Sequence, residues 1–173
     1  KNFFSSIYSP NHILTVGKDS KTELSRIFDA HKINVDVMGS NRGKLVIGNA
    51  KNSVNIKERK TCLVIPEGFE SECNLLFSFS LMASELCPEI DFIWRFHPSM
   101  SFMNFKGKYK KFKKLPSNIV ISDKALEIDI INSTWVLYRG STAVLKSISY
   151  GLRPFYLKIK DEISIDPLYK MGE

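Results

Sequence analysis

The chain has 173 residues, 43% of them hydrophobic and 25% charged, with a formal net charge of +7. That length holds one sizeable core, or one and a fraction domains, of ordinary globular composition. No run of eighteen apolar residues occurs, so no helix of this chain is expected to span a membrane. Three cysteines, Cys62, Cys73 and Cys87, lie on apolar segments without Cys-x-x-Cys spacing, and read as buried free thiols of a reducing cytoplasm. The chain begins at Lys1, with neither an initiator methionine nor a signal-peptide core, so a fragment of a larger protein is expected.

In chain order, His12–Val16 reads as a strand ending at a Gly17 turn. Ser20 is a helix cap, and Leu24, Ile27 and Phe28 supply the apolar face of its helix. Ile33–Met38 alternates as a second strand and runs into the glycine-rich turn 39–43. This β-α-β unit, residues 1–50, is too small for a domain of its own. Residues 51–60 are basic, polar and non-periodic, which marks a linker, and residues 61–173 form the main domain.

Thr61–Pro66 is a buried strand with Glu67 and Gly68 at its C-terminal end. A long helix over Glu70–Leu86 follows, with Cys73, Leu76, Phe77, Leu81 and Leu86 on its buried side. Glu70 and Glu72 suit its positive end, and Pro88 closes it. The next strand, Asp91–Phe96, delivers Arg95, His97 and Pro98 to the same sheet edge. Pro98 restricts the backbone of His97, and an imidazolium there donates a charge-assisted hydrogen bond to an anion. Residues 99–117 read as a mobile basic loop, with six lysines in Lys106–Lys114 around Tyr109 and Phe112. Asn118–Ser122 is a strand, Asp123 a turn or cap, and Ala125–Ile131 a short helix.

The central stretch is Thr134–Pro154. Trp135–Tyr138 is a strand buried on both faces, and Gly140 allows a turn that other residues resist. Ser141 and Thr142 cap a helix whose buried face uses Ala143, Val144, Leu145 and Ile148. Gly151 stands at its C-cap, and Pro154 prevents continuation. Phe155–Ile159 is a last strand. Alternation of strands and helices predicts a Rossmann-like, doubly wound parallel sheet with helices on both faces. In such a sheet Glu67, His97 and Ser141-Thr142 share one rim, where open α/β sheets bind anionic ligands.

Over residues 61–159 this order resembles the nucleotide-sugar-binding half of glycosyltransferases with the GT-B architecture. The Ser141-Thr142 pair is similar to the hydroxyls that hold the donor's phosphate in that family, and His97-Pro98 resembles the His-Pro motif of bacterial sialyltransferases and capsule transferases. The resemblance implies a CMP-linked or other nucleotide-sugar donor, a glycan acceptor, and bacterial surface polysaccharide synthesis. It implies His97 and Glu67 in the catalytic centre, with Gly68, Arg95, Pro98, Gly140, Ser141 and Thr142 on the donor. No Asp-x-Asp motif occurs, so neither a metal nor a separate cofactor is expected. Residues 1–50 resemble the end of the acceptor-side domain, which implies that the general base lies outside the chain and that the chain alone is inactive. Lys146 departs from the glutamate that holds the donor ribose in the family.

Blander readings of the same residues stay open. Ser141 and Thr142 serve equally as helix caps, His97 as a turn residue, and Glu67 as a charge on the next helix. A Rossmann-like interaction domain without catalysis is one alternative. A polyanion-binding module using Lys106–Lys114 is another. A cytoplasmic protein touching the anionic inner face of the membrane through that run fits the charge, whereas no motif supports nucleic acid.

Overall fold

A computed structural model of the chain describes residues 10–28, 33–39, 60–162 and 164–168. The chain divides into two compact units, Lys1–Lys44 and Leu45–Glu173. In the first, strand β1 (His12–Thr15) leads through helix α1 (Lys18–Phe28) to strand β2 (Asn34–Val37), which pairs parallel to β1. Helix α1 begins at Lys18, ahead of the expected Ser20 cap, and buries no residue. Gly39 has φ 84°, as its turn requires, and the rest of the turn (40–43) and most of the linker (51–59) lie outside the described residues.

The second unit opens with strand β3 (Lys60–Val64), helix α2 (Glu70–Leu86) and strand β4 (Ile90–Arg95). Helix α3 (Phe102–Lys108), a 3-10 turn at Lys110–Phe112 and strand β5 (Ile119–Ser122) follow. Helix α4 (Leu126–Ile131), strand β6 (Trp135–Tyr138), helix α5 (Ala143–Ser149) and strand β7 (Arg153–Tyr156) complete it. All pairings are parallel and the strand order is β5-β4-β3-β6-β7. The order reverses beside β3, so the chain leaves β3 towards one edge and returns at β6 to build the other.

Alternation along β3 divides the core. Cys62 and Val64 pack with α2, α3 and the 3-10 turn through Cys73, Leu76, Phe77, Phe105 and Phe112. Leu63 and Ile65 pack on the opposite face with α4 and α5 through Ile130 and Val144. Helices therefore cover both faces, as the alternation of elements predicts. Each fully buried Leu, Val or Phe among them stabilises the fold by about 1.5–3 kcal/mol.

Several expectations change. Leu86 is 74% exposed, not buried; Ser80 and Ser84 are buried on the inner side of α2 instead. The segment 99–117 is not a loop without structure. Phe102, Phe105, Tyr109 and Phe112 recur at helical spacing, and Phe105 and Phe112 are 2% and 0% exposed in the aromatic core with Phe77 and Trp94. Burial of these rings anchors the segment, while Lys110, Lys111, Lys113 and Lys114 stay exposed. The last strand starts earlier than expected and takes in Pro154, which an edge strand tolerates. Gly151 has φ 90°, and bonds from Gly151 N to Ile148 O and from Leu152 N to Ser147 O close α5 in a Schellman cap.

Candidate functional site

Parallel strands with helical crossovers bring the β3–α2, β4–α3 and β6–α5 loops to one edge of the sheet. Because β3 lies between β4 and β6, Glu67 and Gly68 stand between His97 on one side and Gly140 on the other. Two close approaches fix this arrangement. A Cβ on Gly140 would lie 2.5 Å from Glu67 Oε1, and one on Gly68 would lie 3.1 Å from Cγ and Nδ1 of His97. A methyl group at 140 would have to push the neighbouring carboxylate aside; the φ of Gly140 is not in the left-handed region that the expected turn implied.

His97 is exposed and opens a turn closed by Met100 N to His97 O at 2.8 Å, with Pro98 at its second position. Its Nδ1 lies 2.8 Å from Ser99 Oγ and accepts the Ser99 N–H at 3.3 Å. That acceptor role puts the ring proton on Nε2, so a neutral His97 keeps a donor for an anion.

The hydroxyls of Ser141 and Thr142 do not cap α5. Thr142 is the N-cap residue in helical geometry without a side-chain bond, and Val144 N and Leu145 N turn to the carbonyls of Ser141 and Thr142. Backbone turns satisfy the helix start, which leaves both hydroxyls to other partners. The α5 helix is seven residues long, so its dipole adds little.

Arg95 goes elsewhere. It follows the inward alternation of Ile93 and turns to α4, where Nη1 donates to Asp129 Oδ2 at 2.8 Å and to the Lys124 carbonyl. Asp129 is 2% exposed and also accepts from Ser122 Oγ at 2.7 Å, so Arg95 neutralises a buried carboxylate. Lys146 bridges α5 to α4 through Glu127, and its ammonium holds the Glu127 carboxyl below the usual range.

The sequence reasoning missed Arg139. It is 6% exposed and bridges Glu72 on α2 and Glu162 beyond β7. An arginine directly following a wholly apolar strand is the available signal, since a cation at that depth needs an anionic partner. Glu72, placed at the helix start for its dipole, is that partner. Glu70 pairs instead with Lys108 at 2.5 Å and Tyr109 Oη at 3.0 Å, and these hold its carboxyl below the usual range. A cleft of about 330 Å³ opens at Gly68, lined by Glu70, Ser99, Asn104 and Lys108 among others.

The fold has counterparts among solved structures. The GtfA/B complex matches with a TM-score of 0.58 at 10% identity, over 87% of this chain and 31% of that one. The fold is shared with glycosyltransferases of the GT-B architecture. The glycotransferase of kitacinnamycin matches with a TM-score of 0.49 at 11% identity, over 80% of this chain and 34% of that one. The glycosyltransferase SnogD from Streptomyces nogalater gives a TM-score of 0.41 at 10% identity, over 78% of this chain and 42% of that one. The chain thus spans about a third of the length of the first of these structures. No family model matches the sequence, and no curated protein matches it significantly.

Among the described residues no group of three His, Cys, Asp or Glu side chains is placed to hold a metal ion. No helix among them is long and apolar enough to cross a membrane.

Proposed function

We propose that residues 61–173 form the donor-binding domain of a metal-independent glycosyltransferase, with residues 1–50 belonging to an acceptor-side domain. The observation that carries this reading is the convergence of Glu67 on Gly140 and of His97 on Gly68, where the strand order reverses. Open α/β folds bind phosphate-bearing ligands at such a reversal. His97 Nε2–H and the hydroxyls of Ser141 and Thr142 contact the donor phosphate, and Gly68, Pro98 and Gly140 keep the loops close enough for all three. Displacement at the anomeric carbon is then assisted by stabilising the departing phosphate. Glu67 positions the reacting sugar.

The donor is a nucleotide sugar, CMP-linked by the His97-Pro98 resemblance, and the acceptor a growing bacterial surface glycan. The exposed lysines of the 3-10 turn and its flank place the protein against the anionic inner membrane face. Nucleic acid is disfavoured, because the aromatic rings that would stack on bases, Phe105 and Phe112, are buried in the core.

Calorimetric titration with CMP, UDP and GDP tests the reading. Saturable binding by one of them is expected, weakened by about 1.5–3 kcal/mol in His97→Ala, the range for a hydrogen bond to a charged group. No binding of any of the three leaves a Rossmann-like interaction domain.

A further inference from the structure

Arg139 holds two carboxylates that differ in kind. Nη1 is bound to Glu72, whose side chain is 11% exposed, and Nη2 to Glu162, whose side chain is 51% exposed. Glu72 is fixed on α2 and anchors the guanidinium. Glu162 stands half in water, on the segment that follows β7. Its replacement by another oxyanion therefore costs little desolvation and keeps negative charge against the guanidinium.

The guanidinium also has an unfilled position. Arg139 Nε is buried without a hydrogen-bond partner. In a planar guanidinium, Nε–H and the neighbouring Nη2–H point the same way and form a fork suited to two oxygens of one phosphoryl group. Glu162 engages only the Nη2 half. The fork belongs to the residue before Gly140, at the reversal of strand order, and Gly140 is the neighbour of the Glu67 carboxylate.

Asp166 accepts from Tyr138 Oη at 2.8 Å, Ile165 N donates to Tyr156 Oη at 3.3 Å, and Leu168 packs against the core. The Ile165 side chain meets Gly140, since a Cβ there would lie 2.9 Å from its Cδ1. The segment thus lies across the rim at the point where a ligand of Arg139 would enter.

We propose that Arg139 is a phosphoryl-oxyanion seat whose outer fork is occupied by Glu162, and that ligand binding exchanges this carboxylate for a phosphoryl group and lifts the segment from Gly140. The seat deepens the donor-binding reading above, on which the identity of the ligand rests. Its own chemistry requires only a phosphoryl group.

The test titrates inorganic pyrophosphate and, separately, CMP into the full chain by calorimetry. Glu162→Gln, which cannot hold the guanidinium by charge, binds pyrophosphate at least about tenfold tighter than wild type. Arg139→Lys added to Glu162→Gln keeps the charge, removes the fork, and loses that gain. Should this variant fail to fold, Arg139→Gln with Glu72→Gln replaces the buried pair by a neutral one and loses the gain as well. Saturating pyrophosphate also speeds exchange of the Ile165 amide in wild type, as Glu162 is displaced. Equal pyrophosphate affinity in wild type and Glu162→Gln, or a gain that survives loss of the fork, overturns the seat. Tighter pyrophosphate binding without nucleotide binding keeps the seat and defeats the transferase reading. Equal CMP and pyrophosphate binding in wild type and Glu162→Gln does the opposite.

Discussion

The chain contains two β-α-β units of the same parallel connection and very different interiors. In β1–α1–β2, Val35 and Thr15 are buried, α1 buries nothing, and Leu14, Val16, Ile27, Val37 and Met38 are 44–71% exposed. In β3–α2–β4, by contrast, Leu63, Val64, Cys73, Leu76, Phe77 and Trp94 are all 0% exposed. Local sequence is sufficient to start either unit. What separates them is the second layer on each sheet face: α3, α4, α5 and β6 close over β3, while the described residues of the first unit carry no such cover. A β-α-β unit is a connection rule, and becomes a core only when its neighbours bury it.

The largest expected effect concerns that contrast. Phe77→Ala lowers the stability of the second unit by about 3–5 kcal/mol, through lost burial and the cavity left between Trp94 and Phe105. Ile27→Ala, at a position 55% exposed on α1, changes stability by less than about 0.5 kcal/mol. Chemical denaturation of both variants checks this, and equal losses would break the comparison.

Arg139→Gln comes next, at about 3–5 kcal/mol, because it leaves Glu72 buried without its cation. Adding Glu72→Gln restores most of the loss. A pair of equally destabilised variants would show that packing, not charge, sets the cost at the end of β6. Gly140→Ala follows at about 1–3 kcal/mol, since its methyl group displaces the Glu67 carboxylate. Glu67→Ala in the same chain relieves the overlap, and an additive double variant would refute the contact.

Thiol chemistry sharpens the picture of the second core. Burial pushes the thiols of Cys62 and Cys73 up to about 12, so neither forms thiolate at pH 8. Alkylation of the native protein at that pH leaves both unmodified, and mass spectrometry of the labelled chain reads the result.

The smallest effect is at the surface. Hydrogen bonds from Lys108 and Tyr109 hold the Glu70 carboxyl below its ordinary value. Its contribution is therefore present above the unfolded-state value, near pH 4.5, and is lost as pH falls through the lower folded value. Melting temperatures of wild type and Glu70→Gln are expected to differ at pH 6 and to converge at strongly acid pH. A constant difference would mean that Glu70 does not fasten α3 to α2 by charge.

The sequence by itself determined the parallel α/β class, the span of α2, the free thiols, and the appearance of Glu67, His97 and Ser141 at strand ends. Hydrophobic periodicity and glycine or proline punctuation are local signals, and the chain shows them plainly at Thr61–Pro66, Glu70–Leu86 and Trp135–Gly151. Local signals misread the lysine-rich stretch, where charge density hid the helical spacing of Phe102, Phe105, Tyr109 and Phe112. They also assigned capping to Ser141 and Thr142, although the backbone turns at the start of α5 need no hydroxyl. Only the tertiary structure decided the partners of charged residues. Arg95 and Arg139 both follow apolar strand positions, yet one turns to Asp129, 34 residues away, and the other to Glu72, 67 residues away. Such pairings follow from strand order and side-chain alternation across an open parallel sheet, and neither is encoded in the neighbouring residues.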